Sequence, residues 1–131
     1  MCPTLSHPDA IRSDRGAVDV SVQMLFGFMT VLIAVLLTVE TVAYWHTRNV
    51  FDEAAAEGAR VAAAFDGTCT EGIAAATALV RQHAPGWGSR VVVSCTEGPN
   101  VVVVVSGPTM GFAGAHLGLM ARTVEAAPKE R

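Results

Sequence analysis

Residues 24–39 read MLFGFMTVLIAVLLTV, led in by Val20, Ser21, Val22 and Gln23 and closed by Glu40. No Asp, Glu, Lys or Arg falls between Val20 and Val39, and that length meets the roughly 20 residues an α-helix needs to cross hydrocarbon. The run predicts one membrane-spanning helix. The competing reading, a helix buried in a soluble core, would require a short chain to wrap a segment that is apolar on every side. Much of what remains is alanine-rich or loop-like, so little is left to do the wrapping.

Downstream, Tyr44 and Trp45 form the ring pair expected at a headgroup boundary, and no helix breaker follows until Asp66 and Gly67. The helix is therefore expected to continue into water. In residues 46–65, HTRNVFDEAAAEGARVAAAF, an apolar stripe at helical spacing is formed by Val50, Phe51, Ala54, Ala55, Gly58, Val61, Ala62 and Phe65. Arg48, Asn49, Asp52, Glu53, Glu57 and Arg60 fall elsewhere on that helix. Within the stripe Ala54, Gly58 and Ala62 are small residues four apart, a groove in which another backbone can lie closely. Its occupant is either another subunit or the protein's own domain. Glu40, at the edge of the span, reads either as a carboxylate reaching headgroup water or as a helix-to-helix contact.

Upstream, residues 1–15 combine two prolines with Ser, Asp and Arg and show no apolar period, which predicts a disordered leader. Arg12 and Arg15 nearly balance Arg48 and Arg60 across the span, so the positive-inside count alone does not orient it. The N-terminus is expected inside because Arg15 stands close to the span. A secretory signal peptide is the rival for this region, with Thr41, Val42 and Ala43 as a weak cleavage site. The apolar run is longer than such signals use, and Glu40 stands against cleavage there. The expected division is a cytoplasmic leader at 1–16, the span at 17–45, an amphipathic extension at 46–66 and a small extracytoplasmic domain at 67–131.

The whole chain has 131 residues and 13.7 kDa, 51% hydrophobic and 16% charged, which leaves room for one span and one small domain. A net charge of -3 with no Lys/Arg run excludes a nucleic-acid surface, which needs clustered cations. Membrane lipid is the expected partner, reached through the apolar run and not through a polybasic segment. Of three cysteines, Cys69 and Cys95 flank the region after the long helix, while Cys2 lies in the leader. A bridge between the first two would stabilise a small domain by roughly 3 to 4 kcal/mol and would put it outside the cytoplasm. Two buried free thiols are the alternative.

After the turn DGTCTEG at 66–72, residues 71–83 read as a second helix with Ile73, Ala76, Leu79, Val80 and Ala84 on one side, and Pro85 and Gly86 stop it. Residues 90–95 and 101–106 flank a Gly-Pro-Asn turn and predict a β-hairpin. Five consecutive valines, 101–105, suggest a strand covered on both faces. Residues 107–118 are glycine-rich and loop-like, residues 119–126 return as a third strand or a short helix, and the APKER tail is expected to fray. The predicted fold class is α+β, a long N-terminal helix followed by a small domain with a short helix and a β-hairpin or three-stranded antiparallel sheet.

No catalytic, cofactor or metal site is expected. His7, His46, His83 and His116 sit in separate segments without ligand spacing, the cysteines make no C-x-x-C pair, and the glycines at 107, 111, 114 and 118 form no phosphate loop.

One further pattern links the halves of the helix. Arg15-Gly16, a short small-residue stretch, the apolar span, Glu40 in LLTVETVAY, and EAAAEGARVAAA at 53–64 together resemble the TadE-like family of small pilin-like proteins of tight-adherence (Flp-type) pilus and secretion systems. The AAxEGAR element at 54–60 is the most specific part, and the resemblance covers roughly the first half of the chain. It implies a non-enzymatic bacterial inner-membrane protein acting with other pilin-like subunits and secretion machinery, or with further copies of itself through the N-terminal helix. It also implies processing between Gly16 and Ala17, although the fifth residue after that glycine is Ser21 where the family carries Glu, with Asp19 the nearest acid. Helix packing and assembly would use Glu40, Ala54, Gly58 and Ala62. The alternative is a stand-alone exported or membrane-anchored binding domain.

Overall fold

No proline interrupts the chain between Pro8 and Pro85, so nothing in that stretch removes a backbone donor from a helical ladder. In the computed structural model, which describes residues 10–130 and the side chains of residues 19–130, this stretch forms one helix, α1, over Ala10–Ala63. Residues 10–16, expected in a disordered leader, are thus helical, while residues 1–9 lie outside the described residues. Two compact units divide the chain, one ending at Thr38 and one beginning at Val39.

In the first unit the large apolar side chains are exposed, among them Leu25, Phe26, Phe28, Leu32, Ile33 and Leu36. This helix near the N-terminus is long and apolar enough to cross a membrane. Its threonines are compatible with that solvent. Thr30 and Thr38 each donate their hydroxyl to the carbonyl four residues back, Phe26 and Ala34, both at 2.8 Å, so neither donor needs water.

The second unit is an α+β domain. Its remaining elements are α2 (Cys69–His83), a 3-10 turn (Gly88–Arg90), β1 (Val92–Thr96), β2 (Asn100–Pro108), α3 (Phe112–His116) and β3 (Met120–Pro128). The strands form one antiparallel sheet in the order β1-β2-β3, with Cys95 opposite Val103 and Val103 opposite Glu125. The later part of α1 and α2 cover one face. Phe51, Ala54, Ala55, Ala59, Ala62, Ala76, Val80 and Trp87 meet Val101, Val103 and Val105 in the core, and Phe51 stacks on Trp87 at 5.5 Å between ring centres.

Four sequence expectations change here. The glycine-rich stretch 107–118, expected as a loop, begins as the end of β2 and carries α3 over Phe112–His116. The valine run is buried on one face only: Val101, Val103 and Val105 point into the core, whereas Val102 and Val104 are half-covered. Both helices lie on the same side of the sheet, and an antiparallel sheet can leave its other face open. Phe65 leaves the apolar stripe and is 75% exposed, because α1 ends at Ala63 and the turn rotates it away. The tail, expected to fray, is held over residues 127–130, while residue 131 lies outside the described residues. Lys129 Nζ donates to the carbonyls of Ala62 and Gly67, and the Glu130 N–H donates to the Ala63 carbonyl at 2.9 Å. The cation thus sits at the carbonyl-rich end of α1, where the helix dipole favours it.

The second helix starts on a capping box. Thr68 accepts from the Glu71 N–H while the Glu71 carboxylate accepts from the Thr68 N–H, which satisfies donors at a helix start. Cys69, its first residue, is bonded to Cys95 on β1, with Cα atoms 5.5 Å apart.

Candidate functional site

Two junctions organise the second unit, and each uses residues singled out in the sequence. The first is at Glu40. Its carboxylate accepts from the backbone N–H groups of Phe112 at 2.6 Å and Ala113 at 3.2 Å, 72 and 73 residues away. These are the opening donors of α3, a helix of five residues, and they have no partners inside so short a helix. About two turns further along the same face of α1, the Thr47 hydroxyl accepts from the Met110 N–H at 2.9 Å and donates to the Ala43 carbonyl.

The chain reaches Glu40 through Gly111, whose φ of +100° suits glycine. A Cβ there would lie 2.7 Å from Glu40 Oε2. Gly114 is as confined, since its Cβ would fall 1.7 Å from the Thr109 carbonyl oxygen. Glu40 is half-exposed and makes a helix-to-helix contact within one chain. Charge-assisted bonds of this type are worth roughly 1.5 to 3 kcal/mol. Glu40→Ala is therefore expected to speed amide exchange at Phe112 and Ala113 by about 30-fold, equivalent to about 2 kcal/mol. Unchanged protection at both amides would refute this role.

The second junction is the crossing of α1 and α2. A Cβ on Gly58 would meet the Gly72 carbonyl oxygen at 2.9 Å and Ala76 Cβ at 3.0 Å, and a Cβ on Gly72 would meet the Gly58 carbonyl oxygen at 2.6 Å. The two helix backbones touch here. Ala54 and Ala62 are fully buried beside them, so the groove formed by Ala54, Gly58 and Ala62 is filled from within the chain. Glu57 and Arg60 lie on the outer surface and form an ion pair at 2.7 Å. Hydrogen bonding from Arg60 holds the Glu57 carboxyl below its usual range, so this exposed pair acts above ordinary carboxylate pKa values and is lost as pH falls through the lowered one.

Compared with known proteins, the chain matches no family model, no curated protein and no solved structure.

Gly16 and Ala17 lie inside α1, and their side chains are outside those described. Among the described residues no three of His, Cys, Asp and Glu gather as metal ligands. His116 lies against Phe112, with ring centres 4.6 Å apart, while His46 is on α1 and His83 ends α2. An open groove of about 310 Å³ runs between α1 and β3, lined by Ala56, Ala59, Arg60, Ala63 and Glu125 among others. The clasp on α3 is the feature that sequence reading missed. Its donors are backbone N–H groups, which every residue but proline carries. Only the glycines at 111 and 114 hinted at a constrained turn.

Proposed function

We propose that this chain is a single-pass, TadE-like membrane protein that works in tight-adherence (Flp-type) pilus assembly or secretion by helix packing and not by catalysis. The observation that carries the reading is the segment at 20–39, uncharged, exposed in its large apolar side chains and satisfied in its threonine hydroxyls. Such a surface suits hydrocarbon and is too large and continuous for water. The resemblance at residues 53–64 supplies the pilin-like assignment.

Contacts with other pilin-like subunits, further copies included, would run through residues 20–39, because Ala54, Gly58 and Ala62 are already packed. The N-terminus would lie in the bacterial cytoplasm and the domain outside, where a disulfide persists. An exported domain cut near Ala43 fits less well: Glu40, upstream of that cut, holds α3 in place.

Intact-mass measurement of protein taken from bacterial membranes tests the anchor. The expected polypeptide is membrane-retained and begins at or before Ala17, and a released chain beginning near Tyr44 would overturn the reading. Photo-cross-linking from positions within 20–39 tests the assembly role, with a pilin-like subunit as the expected product. Recovery of lipid adducts alone would remove the pilus assignment and leave the anchor.

A further inference from the structure

The connection from β2 to β3 differs from the other surface turns of the second unit. Residues 98–121 contain no Asp, Glu, Lys or Arg. Yet within them Phe112 is 54% exposed, Leu117 75%, Leu119 45% and Met120 59%. Val42 and Trp45 on α1 are exposed as well. The Glu40 and Thr47 hydrogen bonds hold this connection against the beginning of the unit's own helix.

The opposite end of the same unit is charged. Glu97 accepts from the Cys69 N–H, Lys129 reaches the carbonyls of Ala62 and Gly67, and Asp66, Glu71 and Glu130 are exposed nearby in the chain. Between the ends, Arg48 follows Thr47, Arg122 pairs in register with Ser106, and Arg90 precedes β1, all three exposed. An apolar tip backed by arginines and a carboxylate-bearing far end is the polarity of a surface that dips into a bilayer. In sequence, the uncharged run ends at Val39, one residue before the glutamate that holds the tip.

We infer that the α3 connection, through Phe112, Leu117, Leu119 and Met120, inserts into the phospholipid interface beside the point where the chain enters the membrane. The occupant of this apolar surface is lipid, with Arg48, Arg90 and Arg122 at headgroup level. Lipid contact there would hold the domain at a fixed orientation on the bilayer. The inference rests on the anchor reading of residues 20–39.

The test uses the full chain in phosphatidylethanolamine–phosphatidylglycerol vesicles containing a diazirine-bearing phospholipid, with labelled peptides mapped by mass spectrometry. Label is expected in residues 20–39 and in residues 110–120, the latter about tenfold above the β1–β2 turn. A Phe112→Ser, Leu117→Ser double variant, altering exposed side chains, should lose the 110–120 label and keep the other. Label in 20–39 with none above the turn's level in 110–120 overturns the inference and leaves the anchor standing. No label in 20–39 removes the anchor and the inference together.

Discussion

Replacing Gly58 with leucine is expected to lower the stability of the second unit by about 3 kcal/mol or more. Its new Cβ alone would stand 2.9 Å from a backbone oxygen of α2 and 3.3 Å from Val103 Cγ1, and the rest of the side chain has no space to enter. A flexible neighbour could swing aside, but a helical carbonyl cannot, so α2 must lift from α1. Glycine within a helix costs about 1 kcal/mol relative to alanine, a cost met here by the close approach it permits. Ala56→Leu, on the exposed side of the same turn, is the matched control and should change stability by no more than about 0.5 kcal/mol. Urea midpoints of the detergent-solubilised protein, followed by tryptophan fluorescence, compare the two. Equal midpoints would show that the crossing is looser than described.

Loss of the Cys69–Cys95 bond comes next in size. The bond joins residues 26 apart in sequence, the first residue of α2 and the fourth of β1. Chain entropy assigns such a link roughly 3 to 4 kcal/mol. That is a large share of the stability of a domain this small. The Cys69→Ala, Cys95→Ala double variant keeps the Glu97 acceptor on the residue 69 N–H and therefore isolates the covalent link. Its unfolding free energy, taken from the urea midpoint and slope, is expected to fall by that amount, and the oxidised protein treated with a reductant should match it. If reduction leaves the midpoint where it was, the bond contributes nothing to this domain.

The Gly58 crossing bears on what the AAxEGAR element means. Ala55 and Ala59 are buried, Gly58 touches Gly72, and Glu57 pairs with Arg60 on the surface. All of that element except the exposed Ala56 has a role inside one molecule. Its spacing encodes how the long helix receives the second one, which is why Ala54, Gly58 and Ala62 read from sequence as a packing groove without revealing what fills it.

Periodicity decided much of this protein before any folding contact was known. An uncharged run of about 20 residues specifies a helix fit for hydrocarbon, a repeat of 3.6 specifies the buried side of α1 beyond it, and β-branched runs around a turn specify the hairpin. These are local signals, carried by side chains at fixed spacing. Tertiary structure alone decided the rest: that both helices cover the same side of the sheet, that Lys129 closes the end of α1, and that Glu40 holds the backbone of Phe112 and Ala113. Backbone donors look alike at every position of a sequence, and a carboxylate chooses among them only when the folded chain brings one within reach.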